Sequence, residues 1–291
     1  MSTPALISIN KLAHTRVLII GGTSGIGFAV ARAALEHGAN IIISSSNPEK
    51  VSSTISRLHT LYPTPAYTDR ITGQACDLGD QSTLETNLIS LLDHATSPSL
   101  FPNTTTTTTT TDNEPTKEKI LLNHIIYTAG SRPARTPISS PDITATTFST
   151  SGTLRLIAPM LIGKHAKTYL LDHHTSSLTF TSGVMAARPV AGMVVSAAAM
   201  GTALEGLTTG LAVELAPIRV NVVAPGAVET EIFESLGEMK ETYLGAFRRG
   251  TLTGEVGRPE DVAEAYVWCM KDGFVTGQRV GSDGGALLKG A

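Results

Sequence analysis

The chain has few cysteines and little net charge, and each shortage excludes a class of protein. It contains two cysteines in 291 residues, Cys76 and Cys269, which excludes a disulfide-stapled scaffold and indicates reduced thiols. A net charge of −3 gives no electrostatic reason to expect a nucleic-acid partner. The hydrophobic content of 41% is nevertheless enough for a large core, and the length suits one α/β domain over residues 1–291.

Long apolar runs and metal-like clusters are also missing. No stretch is long and apolar enough to cross a bilayer, and the N-terminal residues lack the apolar run of a signal peptide. We therefore expect a cytoplasmic protein with no membrane association. The histidines show no metal-ligand spacing with acidic residues, so we expect no metal.

One segment has neither apolar periodicity nor sequence complexity. Residues 96–119 are polar and include eight consecutive threonines at 104–111. Such a composition cannot bury enough apolar surface to offset the entropy of ordering. We predict a disordered insertion over 96–119.

Short apolar runs alternate with helical patterns along the rest of the chain. Fully apolar runs between helices are typical of a parallel sheet that is buried on both faces. This alternation predicts a doubly wound α/β fold of about seven strands, with helices on both faces. The predicted strands lie near 16–20, 40–44, 71–76, 121–127, 176–181, 218–224 and 278–281.

The most informative stretch is Val17–Gly27, which reads VLIIGGTSGIG. An apolar strand leads into a turn with glycines at 21, 25 and 27, and a helical pattern begins at once. Glycines allow a tight turn and a close approach of the backbone, and a helix N-terminus offers free N–H groups to an anion. In this strand–turn–helix context the turn predicts a binding site for a dinucleotide pyrophosphate.

The spacing Gly-x-x-x-Gly-x-Gly resembles the short-chain dehydrogenase/reductase family, although Ile20 replaces the usual Thr before the first glycine. The resemblance runs from about residue 12 to 288. It implies a single Rossmann-like domain that binds a nicotinamide cofactor and a small-molecule substrate. The matching motifs are Cys76-Asp77-Leu78, Ala129-Gly130, Arg219–Gly226, Gly257–Ala263, Val275–Gln278 and Asp283–Gly285.

The resemblance also implies which residues hold the cofactor. They are the residues of the glycine turn, of the second-strand end and of the loops that follow strands three, four and six. The set comprises Gly21, Thr23, Ser24, Gly25, Ile26, Gly27, Ser45, Ser46, Asn47, Asp77, Leu78, Ala129, Gly130, Pro225, Gly226, Val228 and Thr230.

The end of the second strand favours NADP(H) over NAD(H). An NAD enzyme usually has an acidic residue there that binds the ribose hydroxyls. Here the chain reads Ser44-Ser45-Ser46-Asn47-Pro48, with small hydrogen-bonding groups and no carboxylate to repel a 2′-phosphate. These residues can also serve to cap the next helix, with Asn47 before Pro48. The two interpretations are compatible.

The proton-transfer residues of the family are missing. The family uses a Tyr, a Lys four residues later, a Ser on strand five and an Asn on the fourth crossover helix. Counting along the chain places Ala197 at the Tyr, Gly201 at the Lys, Gly183 at the Ser and Ser149 at the Asn. General acid catalysis is typically worth about 10²- to 10⁴-fold, so its loss restricts the chemistry without forbidding hydride transfer.

Two residues are candidates for the missing catalytic contacts. Arg132, in the loop after strand four, can bind an anion or polarise a carbonyl, or it is an ordinary solvated arginine. Ser182 can hydrogen-bond a substrate oxygen, or it bonds its own turn. Tyr127, at the end of strand four, is interpreted as a core residue.

Residues 229–256 lie where the family has its substrate lid. Apolar side chains at near-helical spacing predict two short helices, either over an apolar pocket or packed on the body. They are Ile232, Phe233, Leu236, Met239, Tyr243, Leu244 and Phe247.

Three functions are compatible with these residues. The first is an NADPH-dependent reductase with a substituted proton-transfer set, as in the fungal natural-product members of the family that lack Tyr and Lys. The second is a non-redox isomerase or cyclase that binds the cofactor, or a reductase coupled to a cycloaddition. The third is a non-catalytic dinucleotide-binding homologue. The helix near 196–216 predicts a homodimer or homotetramer, because the family pairs subunits through this helix. The face expected to pair carries Ala198, Gly201, Thr202, Leu204, Glu205 and Thr209.

Overall fold

The computed structural model describes residues 6–101, 119–130, 135–234 and 237–289, apart from the side chain of Ile232. Seven parallel strands form its centre, and each overlaps a strand expected from the sequence. The strands are β1 (Arg16–Ile20), β2 (Asn40–Ser45), β3 (Ile71–Ala75), β4 (His124–Tyr127), β5 (Ser177–Thr181), β6 (Arg219–Pro225) and β7 (Arg279–Ser282). Their order in the sheet is β3-β2-β1-β4-β5-β6-β7. The doubly wound parallel fold is therefore confirmed.

Helices cover both faces of the sheet. They are α1 (Gly25–Glu36), α2 (Pro48–Leu61), α3 (Pro65–Thr68), α4 (Leu84–Ala95), α5 (Ala145–Gly152), α6 (Ala158–Tyr169), α7 (Met200–Glu214), α8 (Glu231–Glu234), α9 (Lys240–Arg249) and α10 (Pro259–Lys271). One π-helical turn, Thr153–Ile157, joins α5 to α6, and another, Val194–Ala199, leads into α7.

Alternate residues of β1 enter two separate hydrophobic clusters. Leu18 and Ile20 of β1 pack in the cluster that contains α4, α6 and α7. Val17 and Ile19 pack in the other, with α1 and α10. Because successive side chains of a strand point to opposite faces, an all-apolar strand fits only a sheet that is covered on both sides.

The strand order reverses between β1 and β4, and this reversal positions the site. From β1 the chain first builds outward to β2 and β3, and then returns to β4 on the other side of β1. Helices therefore diverge from the carboxyl ends of β1 and β4 and leave a crevice there. Ligands of open α/β sheets bind in such a crevice.

Two details qualify the sequence-based expectations. Within the segment 96–119, Thr96 and Phe101 are buried and Pro98–Leu100 forms a short 3₁₀ turn, while 102–118 lie outside the described residues. Disorder of the threonine run stays a prediction. Tyr127 is a core residue, as expected, and its hydroxyl donates to the Leu154 carbonyl at 2.6 Å.

Within the described ranges, no helix is long and apolar enough to span a membrane.

The exposed face of α7 differs from the face proposed for subunit pairing. Leu204 is buried, and Gly201 and Glu205 are partly buried against the body of the protein. Thr202 and Thr209 are exposed, as proposed, and the rest of the exposed face consists of Gly206, Gly210 and Val213. Counting residues along the chain did not determine how α7 is rotated about its axis, and this rotation decides which side chains face solvent.

Candidate functional site

The turn after β1 requires glycine for two different reasons. Gly21 has φ +91°, and a Cβ there would lie 2.6 Å from the backbone nitrogen of Ala129. A Cβ on Gly27 would collide with the carbonyl oxygen of Gly21. Either substitution would push apart β1, α1 and the β4 loop, so the glycines allow these elements to meet at the crevice.

The first amide of α1 points out of the turn toward an anion. The N–H of Gly25 donates to Oε2 of Glu231 at 2.8 Å. Ser24 occupies the N-cap position without a side-chain cap bond, so the helix start is left to other acceptors. A pyrophosphate oxygen has the same acceptor chemistry as this carboxylate oxygen, and the turn therefore fits a dinucleotide.

The end of β2 offers hydroxyl groups beside the turn. The carbonyl of Ser44 accepts from Gly21 N at 2.8 Å, which holds this strand end against the glycine turn. Ser45 is half-buried, and Ser46 and Asn47 are exposed. Asn47 Oδ1 accepts from Lys50 N at 2.9 Å, so the capping role is observed, and the amide nitrogen of the same side chain is a donor.

The loops after β3 and β4 line the same edge of the sheet. Asp77 is exposed, and its Oδ1 accepts from Gly79 N at 2.9 Å, while Leu78 is buried beneath it. Thr128 Oγ1 lies 3.2 Å from the carbonyl oxygens of Ile20 and Gly21, which ties β4 to the glycine turn.

The loop after β6 closes the crevice from the other side. A Cβ on Gly226 would lie 2.9 Å from the Cα of Asp283, so this turn packs against the C-terminal strand end. The methyl carbon of Thr230 lies 2.9 Å from where a Cβ of Gly25 would stand. The predicted cofactor residues therefore converge on one crevice, and their role in binding stays a prediction.

The start of α7 is tightly packed at the position where the family places its lysine. Ala197 lies in the π-helical turn before α7 and is buried. A Cβ on Gly201 would lie 3.0 Å from Ala186 Cβ and 3.2 Å from Ser182 Oγ. Neighbouring groups thus occupy the space that a longer side chain would need.

Ser182 contacts a carboxylate and not its own turn. Its Oγ donates to Oε1 of Glu205 at 2.8 Å, and the same oxygen accepts from Arg279 Nε at 2.9 Å. The other nearby partner of Ser182 is the carbonyl of Gly201, at 3.4 Å. Both partners are acceptors, so the single hydroxyl proton of Ser182 is directed to Glu205 and its lone pairs face elsewhere.

A cation that the sequence reasoning missed lies beside the β4 loop. Arg155, in the π-helical turn Thr153–Ile157, has its Nη2 3.9 Å from where a Cβ of Gly130 would stand. Burial lowers the pKa of its guanidinium. Ser149, expected at the family's Asn position, instead accepts from Gln81 Nε2 at 2.9 Å. The sequence feature that could have indicated this residue is a single arginine within the otherwise apolar run Leu154–Ile157. Arg132 lies outside the described residues.

The segment 229–256 contains two short helices, α8 and α9, as its spacing predicts. Leu244 is buried, and the rings of Phe233 and Phe247 pack edge to face with centroids 5.8 Å apart. Met239 remains 52% exposed, so the apolar surface of the segment is only partly packed. Leu236 lies outside the described residues. The lid function stays a prediction.

The buried thiols and the buried histidine do not resemble reactive groups. Burial raises the pKa of Cys76 to about 11 and that of Cys269 to about 12. Burial also lowers the pKa of His124 to about 3, and this ring bonds Ser177 Oγ at 2.8 Å. In the part of the chain that the structure describes, no three His, Cys, Asp or Glu residues are grouped to hold a metal.

Comparison with known proteins agrees with this geometry. The model of the SDR-like Rossmann domain family matches residues 8–98 and 101–289. The chain is 38% identical to the short-chain dehydrogenase/reductase ATR9 of Stachybotrys chlorohalonatus, over 94% of this chain and 97% of that protein. The solved MalC reductase/Diels-Alderase of Malbranchea aurantiaca is 37% identical, with a TM-score of 0.83 over 97% of this chain and 99% of the other. A small-chain dehydrogenase solved with NADPH is 25% identical, with a TM-score of 0.68 over 94% and 99%.

Proposed function

Because the chain belongs to the short-chain dehydrogenase/reductase family of oxidoreductases, we propose that it binds NADP(H) and transfers hydride between this cofactor and an apolar small molecule of a natural-product pathway. The observation that carries the proposal is the crevice at the carboxyl ends of β1, β4 and β6. Its glycine turn presents an outward-pointing amide at Gly25. Support also comes from the similar dehydrogenase solved with NADPH.

The choice of NADP(H) over NAD(H) rests on the end of β2. Ser45, Ser46 and Asn47 offer hydroxyl and amide donors at a half-buried to exposed edge, next to the glycine turn. A 2′-phosphate accepts hydrogen bonds from such donors, whereas a carboxylate at this position would repel it.

The bound cofactor supplies the hydride, and the chain supplies binding, orientation and polar contacts. With Ala197 and Gly201 at the start of α7, that helix carries neither the Tyr nor the Lys that the family uses for proton transfer. We propose that the substrate is already electrophilic, as an iminium carbon is, and needs no proton at the reacting centre. Holding the reactants in a productive geometry can contribute about 7–11 kcal/mol to lowering the barrier.

The polar contacts to the substrate are assigned to Ser182 and Arg132, with Arg155 as a further cation. Since Ser182 donates to Glu205, its oxygen acts toward a substrate as an acceptor. This differs from the usual role of a strand-five serine, which donates to a substrate carbonyl. Arg155 lies against the Gly130 turn and can orient an electron-rich substrate atom there.

A second candidate function is reduction coupled to a cycloaddition. The specific observation in its favour is the match over nearly the whole chain to MalC, described as a reductase/Diels-Alderase. Such a reaction needs a shaped apolar pocket more than it needs acid–base groups. The partly exposed apolar side chains of α9, such as Tyr243 and Phe247, can supply that surface. A purely non-catalytic dinucleotide-binding protein would need neither feature.

We also propose a homodimer or homotetramer that pairs through α7. Gly206 and Gly210 lie one turn apart on its exposed face, and a Cβ on either would meet nothing within 4 Å. Small residues one turn apart let two helices approach closely, as the family's subunit pairing requires.

One experiment tests the proposed function as a whole. NADPH oxidation is followed with a panel of cyclic imines, enones and unactivated ketones of matched size. We expect turnover with the imines or enones and little with the ketones. Gly27→Ala, which collides with the Gly21 carbonyl, should abolish cofactor binding, whereas Gly206→Ala should leave it unchanged. No NADPH binding by the wild-type protein would overturn the proposal.

A further inference from the structure

Three glutamates lie in the segment that follows β6; two of them share one partner, and the third has another. Glu229 Oε1 pairs with Lys240 Nζ at 2.9 Å, and Glu234 Oε1 pairs with the same ammonium at 2.7 Å. Glu231 reaches across the crevice, where its Oε2 accepts from the Gly25 amide at 2.8 Å. The negative charge of Glu231 is therefore directed to the first amide of α1.

The backbone next to Glu231 packs on the same turn. The Thr230 methyl carbon would lie 2.9 Å from a Cβ of Gly25, and Gly25 itself has φ +49°. The Glu229 amide donates to the Gly257 carbonyl at 2.8 Å, which anchors the segment at its start. The segment thus meets the glycine turn through the Glu231 hydrogen bond, and the Thr230 methyl group lies in the space that a side chain on Gly25 would need.

We propose that Glu231 is a built-in competitor for the cofactor: its carboxylate occupies the phosphate-binding amide of Gly25 in the nucleotide-free protein and moves away when a pyrophosphate binds. The inference rests on the proposed NADP(H) binding and adds a mechanism to it. Moving the Glu231 carboxylate away breaks the hydrogen bond between α8 and the glycine turn, so nucleotide binding is coupled to the position of α8.

The physical basis is competition for one donor between two anions. A single N–H makes one strong hydrogen bond, and the carboxylate and a phosphate oxygen cannot both accept it. If both anions stayed at the turn, their repulsion would weaken nucleotide binding further, since like charges a few ångströms apart near a protein surface interact unfavourably. Wild-type affinity for NADPH is therefore reduced by the free energy of displacing Glu231.

The test measures equilibrium binding of NADPH to the full-length protein and to variants, by nicotinamide fluorescence at fixed ionic strength. Glu231→Gln keeps the size of the side chain and removes its charge, and Glu231→Ala also removes the acceptor. We expect both to bind NADPH more tightly, by about tenfold, the scale of one displaced charge interaction. The matched control is Glu234→Gln, which should change NADPH affinity less than threefold because its partner is Lys240.

A second ligand locates the effect on the phosphate-binding turn. Adenosine 2′-monophosphate has no pyrophosphate, so its affinity should be the same for the wild-type protein and for Glu231→Gln. Amide hydrogen exchange gives a readout independent of cofactor binding. In protein without nucleotide, Glu231→Ala should speed exchange at the backbone amides of α8, and NADPH should produce the same change in the wild type.

The outcomes separate the two proposals. Equal NADPH affinity in all variants, or weaker binding by both Glu231 variants, overturns the inference and leaves the proposed function intact. Weaker binding would mean that Glu231 belongs to the nucleotide-bound site. No NADPH binding by any of the proteins overturns the proposed function and this inference with it.

Discussion

Ser182 on the β5 end and Glu205 on α7 share a hydrogen bond of 2.8 Å, in which the hydroxyl donates and the carboxylate accepts. Arg279 of the last strand completes the group through the same carboxylate oxygen. Three elements of the fold therefore meet at one carboxylate oxygen. Ser182 lies next to Gly201, the residue at the family's lysine position. The contact stabilises this edge of the site and determines which way the Ser182 proton points.

We predict that Ser182 and Glu205 are energetically coupled. Glu205→Ala should destabilise the protein by about 2 kcal/mol, because it leaves a half-buried Arg279 without its carboxylate, and Ser182→Ala by about 1 kcal/mol. In a double-mutant cycle followed by urea unfolding, the two losses should be less than additive by about 1 kcal/mol. Asp261→Asn, which breaks the exposed Arg258–Asp261 pair, is the control and should cost under about 0.5 kcal/mol. Strict additivity would show that the hydrogen bond contributes nothing.

The sequence was sufficient for features that depend on local pattern. The seven strands follow from short apolar runs, the capping role of Asn47 from its place before Pro48, and the core position of Tyr127 from the buried strand that it ends. Each of these depends on residues within a few positions of one another, where strand alternation and capping chemistry apply.

The sequence was insufficient for two kinds of feature. It did not predict which side of a helix faces the protein interior, or which residues far apart in the chain form contacts. Ser149 was placed at the family's Asn position, but it bonds Gln81, while Arg155 lies at the β4 loop. Glu205 was assigned to a subunit face and turns inward to Ser182 instead. Two π-helical turns shift the phase of these helices, and a local pattern does not encode contacts between residues that are 23 or more positions apart.

The second prediction concerns cofactor preference. Ser45→Asp places a carboxylate at the half-buried end of β2, where it would repel a 2′-phosphate and accept from ribose hydroxyls. NADPH affinity should fall by at least about tenfold and NADH affinity should hold or rise. Ser56→Asp, on the exposed side of α2, is the control and should affect the two cofactors equally. A preference unchanged by Ser45→Asp would place the 2′-phosphate elsewhere.

The third prediction is a pH dependence of stability. Burial holds the pKa of His124 at about 3, against about 6.5 in the unfolded chain, so below pH 6.5 the unfolded state binds the extra proton. Stability from this group is full above pH 6.5 and is lost as pH falls toward 3, at about 1.4 kcal/mol per pH unit. His124→Gln should reduce the slope of unfolding free energy between pH 6 and 5 by about one proton. His14→Gln, at an exposed histidine, is the control for the loss of one imidazole from the chain.

The fourth prediction tests subunit pairing through α7. Gly206→Leu and Gly210→Leu each place a large side chain on the exposed face, where they have free space within one subunit and would separate two closely packed helices. Sedimentation should show smaller particles for these variants at micromolar concentration, with thermal unfolding little changed. Gly206→Ala serves as the conservative control. A wild-type protein that sediments as a monomer would contradict the pairing itself.

We propose that hydride transfer here proceeds without a resident acid–base pair, on a substrate that is already electrophilic. The most direct measurement uses NADPH deuterated at the transferred position, with a cyclic iminium and the ketone of matched carbon skeleton as competing acceptors, over pH 5.5 to 9. We predict deuterium in the amine product, a ketone rate lower by at least about 10²-fold, and no bell-shaped pH profile for the iminium reaction. Efficient deuteration of the ketone with a bell-shaped profile would contradict the claim, because it would require the acid–base pair that Ala197 and Gly201 cannot provide.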